Sequence, residues 1–174
     1  TMAAVGTDHV IQVVNSQIAI FDLEGTQLFQ QSLRNFFGPA GVEFGPKDPV
    51  VAYDEQLDRF IVAALERSFD SEQSFLLYAV SDSSDPTADA NGDLSAFTEM
   101  HRISLAEGSL SFSNVGVWAD FSRIGWNADV HALTFNMFTF PDPTVFPPNP
   151  HVEATGPLGN GLPDLPNADD SDGG

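Results

Sequence analysis

The chain of 174 residues contains no cysteine, and its basic residues are scarce. Without cysteine, disulfide bonds, thiolate zinc sites and cysteine nucleophiles are excluded. Six Lys and Arg residues stand against 25 Asp and Glu residues, which gives a formal net charge of −19. A field of that sign repels phosphate backbones and anionic membrane surfaces, so no nucleic-acid partner is expected.

Long apolar runs and common catalytic motifs are also missing. The longest weakly polar run, residues 130–140, is far shorter than the roughly 20 residues of a transmembrane helix, so no membrane insertion is expected. The first ten residues lack the basic and apolar regions of a signal peptide. Neither a G-x-S-x-G elbow nor a glycine-rich phosphate loop is present, which leaves serine-hydrolase and nucleotide chemistry without sequence support.

The chain does contain enough apolar material for one substantial core, with 42% hydrophobic residues and 15 phenylalanines. Its central stretch, residues 48–86, holds three short apolar runs at 50–53, 60–65 and 75–80, separated by polar turns. Strands with one solvent-exposed face alternate between apolar and polar residues, whereas these runs are apolar at nearly every position. They therefore predict strands that are covered on both faces by other layers.

Further β-type runs occupy residues 10–14, 17–21, 26–33, 97–105, 108–118 and 130–140. Short links favour antiparallel neighbours, and no stretch shows the 3.6-residue period of a helix. The predicted fold is all-β: an antiparallel meander of about nine or ten strands within residues 1–140. The loop 34–46 carries three phenylalanines among glycines and prolines, which favours a loop that folds back over the sheet.

The composition changes after residue 140. Eight of the twelve prolines lie in residues 141–174, together with six acidic residues and a single aromatic one. Such a segment cannot bury enough apolar surface to offset its ordering entropy. The predicted organisation is therefore an all-β domain over 1–140 and a disordered, acidic linker or tail over 141–174.

Three segments resemble the blade repeats of large secreted bacterial β-propeller proteins: DPVVAYDEQLDRFIVAAL, SFLLYAVSDSSDPT and WADFSRIGWNADVHALTFNMF. The resemblance implies sheets of propeller-blade type and a location outside the cell or at the cell surface. At about 40–50 residues per blade, some 140 residues supply two to three blades, fewer than a closed ring needs. The open sheet edges of such a portion favour self-association.

One segment suggests a cation site. Asp89, Asn91 and Asp93 have the Asp-x-Asn-x-Asp spacing with which calcium loops bring oxygen ligands together. Leu94 then stands where such loops need glycine, and Met100 where a bidentate glutamate closes the site. Calcium is the one cofactor with any support in the sequence, and a solvated turn is the alternative.

Two sets of side chains are candidates for binding or catalysis. Trp118 and Trp126, which flank Asp120 and Arg123, would form a sugar-stacking platform, with core packing as the alternative. The second set consists of aspartates at predicted strand ends, at positions 48, 54, 58, 82, 85, 120 and 129. Two of them in one pocket, one with a raised pKa, would suit glycoside hydrolysis, although strand-end aspartate is also an ordinary turn former.

The sequence therefore favours a non-catalytic, extracellular or cell-surface interaction module that is built on blade-type sheets and binds a protein or glycan partner. A glycan-acting hydrolase and a self-assembling structural subunit are the alternatives. His131 shares its predicted strand face with Leu133, Phe135 and Met137, which indicates a hydrogen-bonded core histidine rather than a catalytic one.

Overall fold

The computed structural model describes residues 2–87, 96–105, 117–127 and 129–140, all within one compact unit that ends at Phe140. The predicted calcium loop and the predicted tail lie outside these residues. The strands are β1 Met2–Val5, β2 His9–Val14, β3 Gln17–Asp22, β4 Gln27–Ser32, β5 Lys47–Asp54, β6 Arg59–Ser68, β7 Gln73–Val80, β8 Glu99–Ser104, β9 Val117–Trp126 and β10 His131–Thr139. Within the described ranges, no helix has the length and apolarity to cross a membrane.

In the residues that the structure describes, ten strands form three antiparallel sheets, and within each sheet a strand pairs with the strands next to it in the chain. The first sheet has the order β1-β2-β3-β4, the second β5-β6-β7-β8, and the third contains β9 and β10. Four-stranded meanders of this kind are the unit of propeller blades. The predicted all-β fold, an antiparallel meander of blade-type stacked sheets, is confirmed.

One core lies between the first and second sheets. Ile11, Val13, Ile18 and Ile20 alternate with exposed or half-buried residues in β2 and β3, and all four are fully buried. From the second sheet, the same cluster receives Val51, Phe60, Val62, Ala64, Leu77 and Ala79. The period-two pattern of a strand sends these side chains to a single face.

A second core lies between the second and third sheets. β6 contributes Ala63 and Leu65, whereas its even-numbered residues from 60 to 64 enter the first core. Leu133, Phe135 and Met137 of β10 pack against this second cluster as partly buried residues. The second sheet is therefore covered on both faces, which explains the unbroken apolar run of β6 and confirms the predicted sandwiching.

The loop after β4 folds back over the sheet as predicted. Ser32 ends β4 and caps the short helix α1, Leu33–Phe36, by accepting a hydrogen bond from the Asn35 backbone N–H at 3.1 Å. Phe36 and Phe37 enter the first core. The predicted strand 26–33 extends one residue beyond β4 at each end, and at its C-terminal end the capping bond starts a helix at Leu33.

A buried carboxylate on β6 holds the rest of this loop. Glu66 is fully buried and accepts hydrogen bonds from the backbone N–H groups of Glu43, at 2.7 Å, and Phe44. Arg102 of β8 donates to the same carboxylate through Nε at 2.7 Å and lies 3.5 Å from the centre of the Phe75 ring. Three donors thus compensate one buried charge, as burial requires.

Glycine is required at one tight contact between the first two sheets. Gly6 lies in the turn between β1 and β2, where its N–H donates to the His9 carbonyl at 2.8 Å. A Cβ atom at Gly6 would lie 2.6 Å from the Phe60 ring and 2.8 Å from the Tyr53 ring. The absence of a side chain therefore lets this turn contact two aromatic rings of the second sheet.

Candidate functional site

Two adjoining cavities form a groove beside strands β1, β5 and β9, which we call the β1–β9 groove. Their volumes are about 310 and about 420 Å³, and Met2 and Ile124 line both. The remaining lining residues are Ala3, Ala4, Val5, Val51, Ala52, Tyr53, Phe121, Ser122, Arg123 and Trp126. The wall of the groove is thus mostly apolar, and no Asp or Glu is among these residues.

Polar contacts flank the groove at the end nearest Trp126. The Trp126 indole N–H donates to Glu55 at 3.2 Å, and the Tyr53 hydroxyl donates to Asp58. The hydrogen bond to Asp58 raises the pKa of Tyr53, so its hydroxyl remains a donor at neutral pH. An aromatic surface with fixed polar atoms at its rim is typical of binding sites in proteins.

The shape of the groove depends on a β-bulge in β9. Arg123 pairs with Thr134 and Asp120 with Asn136, so two residues of β9, Phe121 and Ser122, oppose one residue of β10. Phe121 has φ +54° and is 64% exposed. Bulges bend a strand and redirect its side chains, and this one directs Phe121 and Ser122 to the groove.

The bulge also separates the two tryptophans that sequence spacing placed together. Trp118 pairs with Phe138 and Trp126 with His131, and these two β10 residues lie on opposite faces of a regular strand. Eight residues of strand also set the tryptophans roughly 25 Å apart. The four predicted ligand-binding residues therefore do not form a single platform: Arg123 and Trp126 line the groove, and Trp118 and Asp120 lie elsewhere.

Trp118 and Asp120 both contact Arg67 of β6. The Arg67 guanidinium lies 4.2 Å from the centre of the Trp118 ring and 3.6 Å from an Asp120 carboxylate oxygen. Trp118 also stacks on Phe138, with ring centres 4.9 Å apart and planes 26° apart. These contacts agree with the alternative interpretation of Trp118 as a packing residue.

Two of the strand-end aspartates do converge. A second bulge, at Asp48 and Pro49 of β5, lies against β9, where the Ser122 hydroxyl donates to the Asp48 carbonyl at 2.7 Å. Burial raises the pKa of Asp48, and a hydrogen bond to the Asp120 carboxylate raises it further. One proton shared between the two carboxylates stabilises such a pair.

A partly buried hydrogen-bond relay joins the second and third sheets. Tyr78 and the His131 Nδ1 atom lie 2.5 Å apart, and His131 Nε2 lies 3.0 Å from an Asp54 oxygen. Because the Asp54 carboxylate can only accept, Nε2–H donates to it, and Nδ1 of the neutral imidazole then accepts from the Tyr78 hydroxyl. Burial raises the pKa of Tyr78. Burial also acts to raise the pKa of Asp54, but hydrogen bonds from His131, Leu57 and Gln56 outweigh it and lower the pKa overall.

His131 is thus the hydrogen-bonded core histidine that its strand face predicted. The relay itself was missed, because its three residues come from distant strands. The only signal in the sequence was the membership of Asp54 among the strand-end aspartates.

Two of the other strand-end aspartates have structural hydrogen bonds. Asp85 accepts from the Thr87 backbone N–H at 2.9 Å, which is ordinary for aspartate in turns. Asp82 accepts from the hydroxyl of Thr98, 16 residues further along the chain, at 2.6 Å. Among the residues that the structure describes, no group of three or more His, Cys, Asp or Glu side chains is arranged to hold a metal ion.

Fold and groove together define an all-β protein of stacked, blade-type antiparallel sheets. The chain matches no protein-family model, no curated protein and no solved structure.

Proposed function

We propose that this protein is a non-catalytic interaction module of propeller-blade type that binds an extended, mostly uncharged segment of a partner protein in the β1–β9 groove. One observation carries the proposal. The chain has 25 acidic residues, yet among the residues that the structure describes no Asp or Glu lines the groove. An apolar surface in such an acidic chain, with Met2 41% exposed within it, favours an apolar partner.

The backbone of β1 gives a reason for an extended segment. β1 is the first strand of its sheet, and within the described ranges it pairs only with β2. A peptide that runs along its other edge gains main-chain hydrogen bonds, as in β-strand addition. Arg123, one of six basic residues, lines the second cavity and suits an anionic group on the partner, such as a C-terminal carboxylate.

We further propose that the module acts outside the cell or at the cell surface, as a portion of a propeller. The resemblance to secreted blade repeats and the net charge of −19 support this location. The hydrolase alternative has less support. Burial and the neighbouring Asp120 raise the pKa of Asp48, but neither aspartate lines the groove.

Selection of random heptapeptides on the immobilised protein tests the binding proposal. Enriched peptides should bind the wild type and Leu28→Glu but lose at least tenfold in affinity for Met2→Glu. Both substitutions add one carboxylate to an exposed apolar residue of the first sheet, and only Met2 lines the groove. A library without binders, or binders indifferent to Met2→Glu, would refute the assignment. Glycan-array binding that is lost in Trp126→Ala would identify a glycan partner instead.

A further inference from the structure

The third sheet has half the width of the other two. The first and second sheets each have four strands, whereas the third consists of β9 and β10 in the part of the chain that the structure describes. One edge of β10 therefore has no ladder partner among those residues, and unpaired edges of this kind recruit other strands. We propose that β10 pairs antiparallel with β10 of a second copy, which makes a four-stranded sheet β9-β10-β10-β9 across a two-fold axis.

The composition of β10 suits pairing with another strand better than that of β4 and β8, the last strands of the first and second sheets. β10 has nine residues, and positions 132–139 carry no formal charge, proline or glycine. β8 has six residues, among them Glu99 and Arg102. β4 has six residues and itself carries the extra residue of a bulge, Leu28, whereas in the β9–β10 pair the extra residue is on β9. Charges, short lengths and bulges are the usual protections of an edge, and β10 has none of the three.

A second copy is the natural occupant because β10 is self-complementary. With the two-fold axis at Phe135, all nine residues pair: Leu133 faces Met137 of the second copy, and Thr134 faces Asn136. Leu133, Phe135 and Met137 are only partly buried in the single chain, so pairing covers more of their apolar surface. A strand that pairs with itself around such an axis makes a closed, isologous contact.

Charge limits this association without preventing it. Two chains of −19 repel each other, but the strands that meet are uncharged from 132 to 139. At about 0.5 M salt the screening length falls to a few Å, so the paired form should increase with salt. The chain's own segment 141–174 is a poor competitor for this edge, because its eight prolines have no N–H to donate.

Mass measurement and cross-linking test the pairing directly. We expect the wild-type chain to double in mass by sedimentation as its concentration rises to about 0.5 mM in high salt, the range of a small interface. The double variant T134C/N136C should form a covalent dimer under mild oxidation, which is readable because the wild type has no cysteine. A strictly monomeric wild type at all concentrations would overturn the proposal.

A matched pair of charge variants tests the register. T134D/N136D sets like charges opposite each other across the axis and should abolish the dimer. T134D/N136K sets opposite charges across the axis and should retain the dimer. Within one chain, the introduced carboxylate faces Arg123 and the introduced ammonium faces Asp120. Circular dichroism checks that both variants fold. Equal dimerisation of the two folded variants would overturn the proposed pairing.

Discussion

Removal of the Glu66 carboxylate should destabilise the protein more than any exposed substitution. Three donors, the N–H groups of Glu43 and Phe44 and the Nε–H of Arg102, lose their shared acceptor in Glu66→Ala. Breaking a buried ion pair costs about 3–5 kcal/mol, and a buried unsatisfied group about 1–3 kcal/mol. Because the loop relaxes towards water, we expect a loss of about 3–5 kcal/mol in all. Glu66→Gln keeps the shape and one acceptor, so it should cost about 1–2 kcal/mol.

The measurement is the free energy of unfolding in urea, followed by tryptophan fluorescence and circular dichroism. A domain of this size has a total stability of about 5–15 kcal/mol, so the two losses are well resolved. Arg102→Met gives the second arm of a double-mutant cycle with Glu66→Gln, and the two effects should be strongly non-additive. A loss below about 1 kcal/mol in Glu66→Ala would show that the carboxylate is hydrated rather than buried, and would refute the reasoning.

Three further predictions concern pH and packing. The pKa of Asp54 is lowered in the folded protein, so the stabilisation by its carboxylate is complete above the ordinary pKa of 3.8 and is lost as the pH falls through the folded pKa. The unfolding midpoints of Asp54→Asn and the wild type should therefore differ at neutral pH and converge in strong acid. The pKa of Asp48 is raised in the folded protein, so stability depends on pH in the opposite direction. The contribution of Asp48 to stability is present below the ordinary pKa of 3.8 and is lost as the pH rises through the folded pKa. Asp48→Asn should therefore raise the unfolding midpoint at neutral pH but not in acid. Asparagine is the suitable substitution because it tolerates the φ of +49° at this position. An unchanged unfolding midpoint at neutral pH would argue against repulsion from Asp120. Gly6→Ala should cost about 1–3 kcal/mol by overpacking, whereas Gly45→Ala, with no atom within 4 Å of its Cβ, should be neutral by thermal unfolding.

The strand pattern was predictable because burial imposes it locally. The runs at 50–53, 60–65 and 75–80 lie within β5, β6 and β7, and their apolar continuity indicated cover on both faces. β1, with only four residues, was not predicted. The predicted strand 108–118 overlaps β9 only at 117 and 118, and its other residues lie outside the part of the chain that the structure describes. β9 continues to Trp126, because its bulge interrupts the alternation that identifies a strand.

The candidate site was less predictable for the same reason. Trp118 and Trp126 were grouped because they flank Asp120 and Arg123, but the extra residue of the bulge places their side chains on opposite faces of β9. Arg123 and Trp126 do line the groove, yet Met2 and Ile124, which join its two cavities, have no polar or aromatic signal to mark them.

Local chemistry in the sequence alone determined the fold class, the antiparallel order, the sandwiched central strands and the acidic surface, because periodicity, turns and charge are properties of neighbouring residues. Tertiary structure alone decided which distant residues meet: Glu66 with Arg102, Asp54 with His131 and Tyr78, and β1 with β9 across the groove. Such meetings depend on how the sheets stack and where two bulges shift the register, and neither is encoded within a single strand.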